Sequence, residues 1–159
     1  LLVTGMVVLI IGAVAYMFQV VLAGFSAQNV RTGLLVGENK GVIEMTRELR
    51  KAITISMPRT GEVRFTPDSV TYYAYYFYNS SDPYPPQFTA GLYQIRKATL
   101  FGGINGTFTY GSGNLVTRDI LPPPASNFIY SGLLITIDLQ AQREESTKRS
   151  VTMVNPRNI

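Results

Sequence analysis

The chain has 159 residues, a formal net charge of +4, 46% hydrophobic residues, no cysteine and no histidine. Without cysteine, disulfides, thiolate catalysis and cysteine-ligated zinc are excluded, and without histidine the commonest general base and metal ligand are missing. The basic residues are dispersed rather than gathered in a block, so no specific nucleic-acid surface is indicated. We therefore predict no catalytic site, no cofactor and no metal site.

The first 25 residues are almost continuously apolar. Twenty of them are hydrophobic, and the first charged residue of the chain is Arg31. A run of about 20 apolar residues spans a hydrocarbon core of about 30 Å, whereas a secretory signal has a shorter apolar core. We therefore predict that residues 1–25 form a transmembrane or filament-core helix. Its apolar surface is assigned to Leu1, Leu2, Val3, Val7, Val8, Leu9, Ile10, Ile11, Val14, Phe18, Val21 and Leu22.

Residues 26–54 are predicted to continue this helix in amphipathic form. Apolar residues recur at helical spacing, and charged residues, including Glu44 and Arg47, occupy the other side. No proline interrupts the chain before Pro58, so one continuous helix to about Ile53 is expected. The apolar stripe consists of Val30, Leu34, Val42, Met45, Leu49 and Ile53.

Residues 55–159 are predicted to form a β-rich globular domain. Short runs rich in β-branched and aromatic residues alternate with clusters of turn-forming residues. Because strands follow one another without intervening helices, an antiparallel sheet is expected. The predicted fold class is α+β, a long N-terminal helix packed on a C-terminal antiparallel sheet. The predicted strands are AITISM, EVRF, SVTYYAYYFY, LYQIRKATLF, GTFTY, GLLITIDLQA and RSVTMVN.

The N-terminal run LLVTGMVVLIIGAVAYMF resembles the first segment of bacterial type IV pilins and type II secretion pseudopilins. In that family the hallmark FTLIELLV continues as an apolar helix, and Leu1, Leu2 and Val3 match the residues after its glutamate. The later runs YQIRKA, INGTFTY, GLLITIDLQ and SVTMVNPRNI resemble the strands of minor pilins, with Arg157 and Asn158 as the closing pair. Two features depart from the pattern: Pro156, and the lack of a proline within the apolar run. The resemblance implies the pilin fold.

The resemblance also implies a function. It predicts a structural subunit of a type IV pilus-like surface filament, a helical homo-oligomer whose N-terminal helices form the core. Before assembly the subunit would be anchored in the inner membrane, from which pilus assembly machinery would move it to the cell surface. Two alternatives remain: a minor tip or priming pseudopilin of a secretion or competence system, and a single-pass membrane-anchored binding domain that does not polymerise.

Two sets of residues are candidates for contacts between subunits. Gly33, Gly37 and Gly41 form a ridge of small residues, and Gly5 and Gly12 lie seven apart, so helix backbones could approach closely there. Glycine is also simply frequent in membrane helices, and the ridge could instead loosen the helix locally. The second set is an aromatic strand whose alternative role is packing on both faces within the subunit. Its members are Tyr73, Tyr75, Tyr76 and Tyr78.

Overall fold

A computed structural model describes residues 2–143 and 145–157 of the chain. Side chains are described from residue 11 onward, except at positions 26, 27, 30, 31, 34–36 and 38. The chain divides into two compact units, Leu1–Gly33 and Leu34–Ile159. The sequence placed its boundaries after residues 25 and 54, whereas the units divide after Gly33, within the helix.

One helix, α1, extends over Leu2–Leu49. Its end is tightened by a hydrogen bond from the backbone N–H of Lys51 to the carbonyl of Glu48, and by one from Ala52 to Leu49. Arg47 lies in the last turn, where a cation interacts favourably with the negative end of the helix dipole. The backbone N–H of Ile53 then donates to the carbonyl of Thr66, which brings the chain into the sheet directly after the helix.

Eight strands form one antiparallel sheet in the second unit. They are β1 (Thr54–Arg59), β2 (Glu62–Thr66), β3 (Tyr72–Tyr78), β4 (Tyr93–Leu100), β5 (Asn114–Ile120), β6 (Asn127–Ser131), β7 (Leu134–Arg143) and β8 (Ser146–Val154). The path through the sheet is β1-β2-β3-β4-β5-β7-β6, and β8 pairs with β7. The strands β7 and β8 form the longest ladder, from Ile135 opposite Val154 to Arg143 opposite Ser146.

The core of this unit lies between one face of the sheet and the last turns of α1. Val42, Met45 and Leu49 are spaced by three and four residues, so they share one helix face, and all three are buried. The strands β2 and β3 are also covered on the opposite face, where Glu62, Arg64 and Tyr76 are buried. On the face toward α1 the strands contribute alternating side chains. These buried residues are Val63, Phe65, Tyr75, Phe77, Tyr93, Ile95, Ile120, Phe128, Ile135, Ile137, Leu139, Ala141 and Val154.

Gly41 lets α1 approach the sheet closely. A Cβ atom at this position would lie 3.0 Å from Cβ of Thr117 and 3.1 Å from the carbonyl oxygen of Val116, both on β5. Gly37, one turn earlier, has open space around the corresponding position. The absence of a side chain at Gly41 therefore sets how closely the helix and β5 pack.

Glu48 adds a polar connection between the helix and the sheet. Its carboxylate accepts hydrogen bonds from the hydroxyl of Tyr75 at 2.5 Å and from Nζ of Lys97 at 2.7 Å. The Lys97 ammonium also lies over the ring of Tyr73, 4.3 Å from its centroid. Glu48 and Lys97 are largely removed from water, and the charge-assisted hydrogen bonds to this carboxylate orient the end of α1 against β3 and β4.

The predicted fold class, α+β with a pilin fold in which a long helix packs on a sheet, is wrong. The packed body is an antiparallel sheet in a unit that begins at Leu34, and among the helix side chains that the structure describes it buries Val42, Met45 and Leu49. The physical reason is the distribution of apolar residues along the helix. These three residues form a one-sided stripe that matches the sheet, whereas every described side chain of residues 11–25 is exposed and belongs to the other unit.

The predicted transmembrane helix over residues 1–25 is also wrong. Within the described residues, no helix contains a stretch long and apolar enough to cross a membrane.

Several strands also differ from their prediction. The predicted strand at residues 106–110 is absent, and only an isolated bridge joins Phe101 to Thr107. Two strands, β5 and β6, were not predicted. Both have few consecutive β-branched residues and lie beside clusters of turn-forming residues, so their sequences do not indicate strands. They pair with neighbouring strands in the sheet, where Ile120 of β5 and Phe128 of β6 are buried.

We expect Gly41→Leu to lower the free energy of unfolding of the second unit by about 1–3 kcal/mol, because the new side chain must displace β5. Gly37→Leu is the matched control. It should leave that free energy unchanged or raise it by up to about 1 kcal/mol through helix propensity. Urea unfolding of the full chain in neutral detergent, followed by near-ultraviolet circular dichroism, measures both, and equal midpoints for the two variants would contradict the packing role of Gly41.

Candidate functional site

The first unit presents a large apolar surface on α1. From Ile11 to Phe25 every described side chain is exposed, and the stretch has no charged residue. Phe18 is 67% exposed and Tyr16 is 70% exposed, although both are large and apolar. Contiguous apolar surface of this kind marks an interaction site. The exposed large side chains are Ile11, Val14, Tyr16, Met17, Phe18, Val20, Val21, Leu22 and Phe25.

Part of this surface has the spacing of a coiled-coil seam. Ile11, Val14, Phe18, Val21 and Phe25 alternate at intervals of three and four residues. This is the heptad pattern, in which side chains of one helix insert between those of another. The apolar helix was predicted from its hydrophobicity alone. The heptad spacing is also visible in the sequence but was not used in that prediction.

The structure places the predicted apolar residues unevenly. Ile11, Val14, Phe18, Val21 and Leu22 are all exposed on α1. The remaining predicted residues lie outside the side chains that the structure describes, and their role stays a prediction. They are Leu1, Leu2, Val3, Val7, Val8, Leu9 and Ile10.

The predicted packing glycines have different surroundings. Gly12 and Gly37 face open space, so both are available to a neighbouring helix, and Gly33 is exposed. Gly41 packs against β5 of the same chain. The surroundings of Gly5 are outside the described residues.

The four predicted tyrosines lie on β3, Tyr73 and Tyr75 on one face of the sheet and Tyr76 and Tyr78 on the other. Tyr75 and Tyr76 are buried within the chain, at 0% and 1% exposure. Tyr73 and Tyr78 are half-buried, and each lies beneath a cation, Lys97 for Tyr73 and Arg96 for Tyr78. Of the four predicted contact residues, Tyr73 and Tyr78 therefore keep some exposed surface, whereas Tyr75 and Tyr76 do not.

Burial changes the ionisation of several of these tyrosines. It raises the pKa of Tyr76 to about 12, although the N–H of Gly111 donates to its hydroxyl oxygen. Burial, followed by a hydrogen bond to Asp82, raises the pKa of Tyr93 to about 12. The pKa of Tyr75 is raised further, first by burial and then by its bond to Glu48. All three hydroxyls thus stay protonated and act as structural donors at neutral pH.

A groove lies between the end of α1 and the segment around Thr152 and Arg157, and we call it the basic groove. It was not predicted from the sequence. Its volume is about 510 Å³, and its lining combines apolar and cationic side chains. Arg47, Arg50 and Lys51 are neighbours at the end of α1, and the C-terminal segment adds Arg157, whose N–H donates to the carbonyl of Arg50. No local motif indicates that Arg157 joins the helix cations. The lining is Val42, Ile43, Thr46, Arg47, Arg50, Lys51, Thr152 and Arg157.

Acidic side chains do not gather into a metal site in the part of the chain that the structure describes. The buried carboxylates have other partners. Glu62 accepts from Nε of Arg64, which also donates from Nη1 to the carbonyls of Ile104 and Gly106, and Asp82 accepts from Tyr93. These carboxylates therefore fasten loops to the sheet.

We expect the free energy of unfolding to fall as pH rises from about 10 to about 12. Unfolded tyrosines ionise near pH 10, whereas folded Tyr76 and Tyr93 keep their protons to about pH 12. The stability that their burial contributes is therefore complete below pH 10 and lost through pH 12. Urea unfolding across this range, with the ultraviolet absorbance of the phenolate form, measures the effect. Ionisation of every tyrosine near pH 10 without loss of stability would contradict it.

The chain was compared with protein-family models, with curated proteins and with solved structures. No family model, no curated protein and no solved structure matches it.

Proposed function

We propose that this protein is a structural subunit of a surface filament made of identical subunits, which assemble through residues 11–25 of α1. The observation that carries the proposal is the uncharged helix surface on which nine large apolar side chains are each more than half exposed. The resemblance of the N-terminal run to filament subunits supports it, and the cell surface is the location that it implies.

The free energy available from covering this surface is large. Full burial of a large apolar side chain gains about 1.5–3 kcal/mol, so covering the exposed half of each gains roughly 1 kcal/mol. For nine side chains the total is on the order of 10 kcal/mol, which is comparable to the stability of a whole domain. A surface of this size requires an apolar partner.

A second copy of the same helix is the partner that fits. The heptad spacing of Ile11, Val14, Phe18, Val21 and Phe25 suits a helix with the same pattern. Small residues on another side, Gly12 and Ala23, permit close approach of a further helix. Since the surface is apolar all round, one helix can contact several neighbours, which is the requirement for a helical polymer rather than a closed dimer.

We expect Phe18→Asp to prevent filament formation, because a carboxylate at the centre of the seam would be buried without a partner. Val70→Asp is the matched control, since Val70 is 80% exposed and lies in the loop between β2 and β3. After detergent removal, the wild-type chain and Val70→Asp should sediment as fibres visible by electron microscopy, whereas Phe18→Asp should not. A wild-type chain that stays monomeric and only floats with lipid vesicles would overturn the proposal in favour of an anchored domain.

We expect Gly37→Leu to reduce fibre yield while the sheet unit stays folded, because Gly37 faces open space in the subunit and is available to a neighbouring helix. Gly91→Leu is the control, since Gly91 is an exposed loop glycine that also faces open space. Sedimented protein is measured for both variants, with circular dichroism as the folding check. Wild-type fibre yield from Gly37→Leu would exclude Gly37 from the contact.

A further inference from the structure

The basic groove has features of a binding site that the filament proposal does not use. Arg47, Arg50 and Arg157 line it, and none of the three forms a salt bridge among the described residues. The hydroxyl oxygen of Thr46, also in the lining, is buried without a hydrogen-bond partner in the part of the chain described. Its volume, about 510 Å³, is within the range of ligand sites. The groove therefore combines unpaired positive charge with an unused polar group.

The groove adjoins a free sheet edge. Among the described residues β8 pairs with β7 alone, and Thr152 of β8 lines the groove. The ladder between the two strands continues over nine residue pairs without a bulge. The backbone groups on the outer side of β8 are therefore regularly spaced and available to a further strand.

The other sheet edges are less suited to such pairing. The strand β1 contains Pro58, and its register shifts between Ser56 and Arg59. The strand β6 has only five residues. Proline, irregular register and short length all hinder the addition of a strand, and β8 has none of these. Of the three edges, β8 is the one able to accept an extended chain.

The charge of the groove identifies the chemistry of the occupant. An extended chain beside β8 would direct every second side chain toward the groove, where Arg47, Arg50 and Arg157 favour carboxylates. Another copy of this chain does not meet the requirement well. None of its described strands carries more than one carboxylate, so a strand of a second copy cannot present acidic side chains at alternate positions.

We propose that the free edge of β8 and the adjoining basic groove bind an extended acidic segment of a partner protein, which adds to the sheet as a further strand. Main-chain hydrogen bonds to β8 supply affinity, and the arginines select acidic side chains at alternate positions. This inference does not depend on filament assembly, because the groove and β8 both lie in the second unit.

The test uses a labelled peptide of about eight residues that alternates glutamate and threonine, a length matched to β8. Its binding to the full chain in neutral detergent, at about 0.15 M salt, is followed by fluorescence anisotropy. Two control peptides carry the same label: one alternates lysine and threonine, and the other is the acidic peptide methylated on its central backbone nitrogens. Arg50→Glu and Arg157→Glu are compared with Arg118→Glu, which makes the same charge change at an exposed residue of β5, away from the groove lining. Circular dichroism establishes that each variant is folded.

We expect the acidic peptide to bind, and Arg50→Glu and Arg157→Glu each to weaken binding about tenfold, since a reversed charge repels the carboxylates. Arg118→Glu should change it less than about threefold, and the lysine peptide and the methylated peptide should bind at least about tenfold more weakly. The proposal is overturned if the acidic peptide does not bind, if Arg118→Glu has the same effect as the groove variants, or if the methylated peptide binds equally well. A preference for single-stranded DNA or for vesicles of anionic lipid over the peptide would also overturn it.

Discussion

The docking of the last turns of α1 on the sheet is the interaction on which the second unit depends. Val42, Met45 and Leu49 close a core that the sheet leaves open on one face. Gly41 permits this by letting the helix backbone approach β5, and Glu48 accepts hydrogen bonds from Tyr75 and Lys97. Hydrophobic burial supplies the free energy of docking. The glycine limits the distance between the helix and β5, and the carboxylate orients the helix, because it must reach both Tyr75 and Lys97.

The two surfaces to which we assign binding differ in physical character. Residues 11–25 offer uncharged apolar side chains on every side, which suits permanent contact with other helices. The groove beside β8 offers arginines and a strand edge, which suits a polar and extended partner. Because the first is satisfied only by apolar partners and the second by acidic ones, the two surfaces do not compete for the same ligand. Under the two proposals, one surface of the chain serves assembly and the other serves recognition.

Sequence patterns were reliable where a segment repeats one period strongly. The predicted strand GLLITIDLQA overlaps β7, and Val42, Met45 and Leu49 of the predicted helix stripe are buried, whereas Ile53 of that stripe lies beyond the helix end and is exposed. The patterns failed where pairing depends on neighbours: GTFTY has the composition of a strand but makes only one bridge, whereas β5 and β6 form because β4 and β7 lie beside them. The long helix on a sheet and the membrane span were inferred from hydrophobicity and resemblance, and both were wrong.

The sequence by itself determined the helical and strand periods, the uncharged apolar stretch before Arg31, and the absence of cysteine and histidine chemistry, because these are properties of composition and short-range spacing. Only the tertiary structure decided that Gly41 packs within the subunit while Gly37 stays open, that Tyr75 and Tyr76 are buried, and that Arg50 and Arg157 share a groove. Each of these outcomes depends on which distant segments the sheet brings together. Contacts between residues more than 100 positions apart, such as Arg50 with Arg157, follow from strand order and register rather than from any local pattern.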